Sequence, residues 1–212
     1  MPATLAFQTA FGPAEIALLV GDGDAARSVR AVDQAAGPGQ DGRLPSLLEG
    51  VLAEGGAALG DVERIGVVTG PGSFTGLRMG LAFARGLGLV LGCPVFGVSL
   101  LAACVPVSEV RGVRVALQAQ KRPPDVTFWS QAFDDGVADG PPEELGVDAV
   151  AGDGRVILTD RVDLFEGSET VEAARPLAEQ VARRVLDLQS GEAPPDPIYV
   201  RAPDAALPGS KR

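Results

Sequence analysis

The chemistry open to this chain is concentrated in one run, Gly70-Pro71-Gly72-Ser73-Phe74-Thr75-Gly76. A glycine-rich turn between an apolar strand and a helix leaves backbone N–H groups without intrahelical partners, and Ser73 or Thr75 is placed to cap the helix. Such a turn can cradle an anion, or it can be a tight bend kept for its geometry; the residues alone leave both readings open. It is not a P-loop, because no Lys follows the glycines. Nor is it a nucleophile elbow, because Pro71 stands where the first Gly of G-x-S-x-G belongs.

Absences narrow the chemistry further. With no His in its 212 residues, the chain cannot build a Ser-His-Asp or Cys-His pair or a His-ligated zinc or iron site. Peptidase and metalloenzyme readings lose most of their support. The carboxylate pairs Asp134-Asp135 and Glu143-Glu144 lie in hydrophilic sequence and read as solvated charges. Eighteen basic residues, of which only Lys121 and Lys211 are lysines, stand against twenty-eight acidic ones, for a formal charge of −10. So acidic a surface repels polyphosphate at long range, and an RNA substrate would have to be gripped by another subunit. Cys93 and Cys104 sit in apolar surroundings and read as free thiols, which suits a reducing compartment. The first twenty residues lack the basic start and small-residue cleavage site of a signal peptide, so a cytoplasmic location is expected.

The elements that position the turn follow from periodicity. Alternating apolar residues over Thr4 to Phe11 and Glu15 to Val20, split by Gly12-Pro13, predict a hairpin, with Arg27 to Val32 as a third strand. Leu44, Leu47, Leu48, Val51 and Leu52 recur at helical spacing, predicting an amphipathic helix over Pro45 to Ala58. A buried strand over Arg64 to Thr69, a helix over Thr75 to Leu91 and a strand over Val95 to Val98 follow. The uncharged stretch from Gly86 to Ser108 is nominally long enough to span a bilayer. Gly92 and Pro94 divide it into a helix end, a strand and a new helix after Ser99, so the membrane reading is rejected. The order β-β-β-α-β-α-β-α predicts a mixed sheet with an antiparallel edge. We divide the chain into a first lobe, 1–107, and a smaller second lobe, 108–212. The second holds strands at Arg114 to Gln120, Val126 to Phe133 and Val156 to Thr159, a loop over Asp134 to Gly146, a helix from Thr170 to Gln189 and a frayed tail from Ala202.

Gly76, Gly80, Ala84, Gly88 and Gly92 fall four apart along the second helix. Each interior Gly costs about 1 kcal/mol relative to Ala, so Gly80, Gly86 and Gly88 together require roughly 3 kcal/mol of compensation, most simply from a closely packed backbone. That backbone is either the chain's own sheet or a second polypeptide. In the docking reading, the partner-binding residues are Leu44, Leu47, Leu48, Val51, Leu52, Gly76, Leu77, Arg78, Gly80, Leu81, Ala84 and Gly88. Arg78 reads as a solvated charge or an interface anchor, and Arg85 as solvated.

The run Gly70-Pro71-Gly72-Ser73-Phe74-Thr75-Gly76-Leu77-Arg78-Met79-Gly80, followed by Cys93-Pro94-Val95-Phe96-Gly97-Val98-Ser99-Leu100-Leu101, closely resembles the TsaB (YeaZ) family. Pro197-Ile198-Tyr199-Val200-Arg201 is also similar to it. The resemblance implies an actin-like, sugar-kinase-like two-lobed α/β fold with a degenerate second lobe. It further implies a non-catalytic role in forming N6-threonylcarbamoyladenosine at position 37 of tRNAs reading ANN codons. The implied partner is a TsaD-type transferase, bound through a bundle of the two helices. The resemblance also implies a TsaE-type ATPase as a further partner, a homodimer when the chain is alone, and tRNA reached only through the complex. No cofactor or metal is implied for this chain alone; ATP belongs to the pathway, and the subunit junction is where it would sit. The sequence departs from the family pattern at Gln8 and Gln118, which stand where aspartates are expected, and an amide is a poorer ligand for a hard cation. The rival reading is a stand-alone actin-like phosphotransferase or nucleotide hydrolase using the turn as a phosphate cradle.

Overall fold

The computed structural model describes residues 1–21, 23–33, 40–106, 112–119, 126–173, 176–186 and 188–200. The lobe boundary near Val107 and the tail beyond Ala202 lie outside the described residues. Two five-stranded mixed sheets carry the fold. The first contains β1 (Ala3–Gln8), β2 (Glu15–Val20), β3 (Arg27–Val32), β4 (Val62–Val68) and β5 (Val95–Val98), in the order β3-β2-β1-β4-β5. β1, β2 and β3 form an antiparallel meander, whereas β4 and β5 add in parallel. The parallel additions need crossovers, which are α1 (Gln40–Gly55) and α2 (Phe74–Leu91).

The second sheet repeats that plan. β6 (Val113–Gln118), β7 (Thr127–Asp134) and β8 (Val137–Gly146) form its meander, and β9 (Val156–Thr159) and β10 (Thr170–Glu172) its parallel extension, in the order β10-β9-β6-β7-β8. The chain is therefore two-lobed α/β with a shortened second lobe. Its crossover helix is only α4 (Val147–Ala151), and the small α3 (Leu100–Cys104) leads out of the first sheet.

Three sequence expectations are corrected. The loop expected over Asp134 to Gly146 is mostly β8, an edge strand without apolar alternation. It tolerates Gly140, Pro141 and Pro142 because only one side pairs, and the register slips opposite Gln131. The helix expected over Thr170 to Gln189 is β10 followed by α5 (Leu177–Arg184). Pro176, extended at φ −76° and ψ 141°, is the N-cap at which α5 begins, so no helix runs through it. α1 begins at Gln40, five residues before the expected start, and Pro45 sits on its exposed side.

α1 and α2 cover one face of the first sheet and α5 the other. Phe7 of β1 meets Phe83 of α2 edge-on at 5.3 Å. A Cβ on Gly55 of α1 would stand 2.6 Å from Leu18 of β2, which lies opposite Leu5 and shares the Phe7 face. On the other face, a Cβ on Gly66 of β4 would stand 2.8 Å from Val181 of α5. The buried Glu15 carboxylate accepts from the Ala178 N–H at the start of α5, at 3.0 Å. Residues 176–200 thus return to the first sheet, so a cut at 107/108 does not divide the chain into two packing units. One core runs from Leu5, Phe7 and Ile65 through Val105 into Val113, Val115 and Phe133.

Candidate functional site

The motif turn is wedged between the end of β1 and the C-terminal segment. The Ser73 N–H donates to Ala10 O at 2.7 Å, the Leu100 N–H to Gly70 O at 2.7 Å and the Ile198 N–H to Thr69 O at 2.7 Å. Gly70 takes φ +108°, and a Cβ there would stand 2.6 Å from Ile198 O; one on Gly72 would stand 2.4 Å from Ala10 O. Pro71 is buried, while Ser73, Phe74 and Thr75 reach the surface. Close approach of backbone on both sides is reason enough for these glycines, and the Ser73 N–H is spent inside the fold. Ser73 caps α2, its Oγ accepting from the Gly76 N–H at 3.3 Å. Ser73→Ala is expected to lower unfolding stability by about 1 kcal/mol, read as a reduced midpoint in urea with an unchanged slope.

The glycine ridge faces inward. A Cβ on Gly76 would stand 2.0 Å from Thr9 O, one on Gly80 2.3 Å from Thr9 Oγ1, and one on Gly88 2.3 Å from Val95 Cγ2. Thr9 Oγ1 also donates to Gly76 O at 2.6 Å. The compensating backbone is therefore the chain's own sheet, and Gly76, Leu77, Gly80, Leu81, Ala84 and Gly88 are buried within the monomer. The same correction applies on α1, where Leu44, Leu48 and Val51 belong to the core and Leu47 and Leu52 are half-buried. Of the docking residues expected from sequence, only Arg78 is exposed.

The outward side of α2 carries Arg78 and Arg85 and, towards its C-terminal end, an apolar patch. Leu89 is 87% and Val90 79% exposed, and Ala82 and Gly86 share their side. A Cβ on Gly86 would touch nothing within 4 Å. On α1, Ser46, Gly50 and Ala53 are exposed, and a Cβ on Gly50 also meets open space. This side lies at the helical phase opposite Leu77, Leu81 and Gly88, and the i+4 glycine row marks the inward side. By length and composition alone α2 could cross a membrane, but one side of it is packed on the sheet. Gly92, at φ 67°, caps its C-terminus as the sequence predicts.

Sequence reading missed how the C-terminal segment binds α2. The Arg78 guanidinium lies 3.8 Å from the centre of the Phe74 ring, and Phe74 meets Tyr199 at 5.9 Å. Arg85, expected to be solvated, donates to Pro195 O at 2.6 Å. The contacts of Tyr199 and Pro195 join residues over a hundred positions apart, which no local pattern encodes.

Gln8 and Gln118, where the resemblance leads one to expect aspartates, are both engaged internally. Gln8 is fully buried and bonds to its own hairpin turn. Gln118 Oε1 accepts from Arg161 at 2.8 Å, its N–H donates to Asp160 at 2.9 Å, and Arg161 is itself held by Asp163. Among the described residues, no three Cys, Asp or Glu side chains come together in a way that could hold a metal ion. Cys104 is buried, and burial raises the pKa of the half-buried Cys93 thiol, which keeps it protonated at neutral pH.

Comparison with known proteins fits this architecture. The family model for tRNA N6-adenosine threonylcarbamoyltransferase (TsaD) matches residues 40–118, the span from α1 through β6. A Mycobacterium tuberculosis protein described as uncharacterized is 30% identical over 165 residues, covering 77% of this chain and 75% of that protein. The Escherichia coli tRNA threonylcarbamoyladenosine biosynthesis protein TsaB is 39% identical over 59 residues, 28% of this chain and 26% of that protein. The structure of YeaZ from Pseudomonas aeruginosa superposes with a TM-score of 0.68 at 23% identity, covering 94% of this chain and all of that one. The sequence match to the transferase family thus falls on the stretch that contains both outward-facing helices.

Proposed function

The chain belongs to the TsaB (YeaZ) family, and from that premise we propose that it serves tRNA threonylcarbamoyladenosine synthesis as a non-catalytic subunit, docking a TsaD-type transferase through the outer sides of α1 and α2. The observation that carries this reading is the exposed pair Leu89 and Val90 beside the open Gly86. Large apolar side chains this exposed, next to helix surface without side chains, favour burial by a second helix pair. Because the transferase family's own sequence pattern spans α1 and α2 here, a transferase carries a related pair, and two such surfaces can meet around a quasi-two-fold axis. An interface of about 1,600 Å² is expected for a stable complex. The same side would pair with a second copy when no partner is present.

Activation of the transferase, engagement of tRNA only through the complex, contact with a TsaE-type ATPase and a cytoplasmic location are parts of the same proposal. The net charge of −10 favours leaving the RNA phosphates to the partner. The test is co-purification of the tagged chain with the transferase of its own organism. A complex of one copy each is expected, and failure to form any complex at micromolar concentrations would contradict the reading.

The rival phosphotransferase reading has the turn in its favour, but Ser73 N–H, Gln8 and Gln118 are all occupied by the chain's own groups. Purified chain without a partner is expected to hydrolyse no ATP above background. Turnover that disappears in Gln118→Ala would reverse the ranking.

A further inference from the structure

The turn between β1 and β2 bridges the two lobes, and docking leaves its construction unexplained. Gln8 is fully buried, yet its amide is spent on the turn that follows it. Nε2 donates to Phe11 O at 2.7 Å and to Pro13 O at 3.2 Å, and Oε1 accepts from the Phe11 N–H at 2.8 Å. Those bonds fix the backbone of Phe11. Its ring meets Trp129 of β7, in the other lobe, edge-on at 6.5 Å and 68°. Deeper in the molecule, the core passes unbroken from the first sheet into Val113, Val115 and Leu117 of β6.

We propose that Gln8, Phe11 and Trp129 form an interlobe latch that holds the two sheets at one separation, with Gln8 as the positioning residue for Phe11. Two-lobed enzymes that close on a nucleotide require lobes that move apart; here the lobes are bridged by an aromatic contact and backed by continuous core. The latch also explains why residue 8 is an amide. A carboxylate there could accept from Phe11 N–H but could not donate to the two carbonyls, and would set negative charge against their oxygens in a buried site. The glutamine is thus a working part of the latch as well as the loss of a possible cation ligand. This inference is independent of the docking reading.

Trp129 is the single tryptophan of the chain, so its fluorescence reports the latch without a label. In the full chain, Phe11→Ala and Gln8→Asp are each expected to raise acrylamide quenching of Trp129 about two-fold, and the double variant no more than the stronger single, because one residue acts through the other. Additive effects would overturn the positioning role. Should Gln8→Asp fail to fold, Phe11→Ala still decides the latch through amide hydrogen exchange. Val105 and Val113, remote from the turn, are expected to exchange about five-fold faster when the lobes loosen. Faster exchange confined to residues 8–15 and the surroundings of Trp129 would overturn the latch itself.

Discussion

Replacing Leu89 and Val90 together with glutamate is expected to weaken capture of the cognate transferase by about 100-fold or more, with the melting temperature of the isolated chain unchanged. Both side chains are mostly in water in the monomer, so the substitutions remove no intramolecular packing, and surface changes of this kind rarely move stability by more than about 0.5 kcal/mol. In a complex, by contrast, the two carboxylates would be carried into an apolar contact without partners, and desolvating unpaired charge is among the largest penalties an interface can carry. Titration calorimetry of the purified pair measures the loss, and thermal melting of the variant alone verifies that the fold survives. The combination separates a docking surface from a structural one.

The opposite behaviour is expected of Gly76→Val. Even a Cβ at this position would stand 2.0 Å from Thr9 O, and that contact joins two backbones, neither of which can rotate away. The helix start would have to lift from the end of β1, breaking the bond from Thr9 Oγ1 to Gly76 O and loosening Leu77 in the core. A loss of about 4 kcal/mol or more is expected, beyond ordinary overpacking, seen as a collapse of the urea midpoint or as insoluble chain. Gly86→Val, on the open side of the same helix, is expected to fold with stability unchanged or raised by about 0.5 kcal/mol, since Val is a better helix former than Gly and meets nothing there. If the two variants melted alike, the orientation of α2 described above would be wrong.

That contrast also shows what the sequence discloses and what it withholds. β5 is predicted to the residue because Gly92 and Pro94 punctuate the chain before a β-branched run bounded by a turn. β1 and β2 are legible because central strands covered by helices carry apolar sequence throughout, whereas β3, at the sheet edge, shows itself only by its β-branched residues. β8 is illegible because an edge strand needs neither alternation nor apolar content, and Pro141-Pro142 reads as a loop until the sheet shows which side is unpaired. On α2, the spacing of the glycines establishes that something approaches closely but not what. The answer, Thr9, lies sixty-seven residues from Gly76. The outward residues of the proposed site were within reach of the helical phase, whereas the contacts of Tyr199, Pro195 and Trp129 depend on chain segments brought together only by the complete fold.

The most direct measurement of the central claim is the threonylcarbamoyladenosine content of total tRNA, by mass spectrometry of nucleosides, in cells depleted of this protein and supplied with either the wild-type chain or the Leu89→Glu/Val90→Glu variant at equal abundance. The account predicts that depletion lowers the modified nucleoside and that only the wild type restores it. Full restoration by the variant would show that the exposed side of α2 is not where this protein acts.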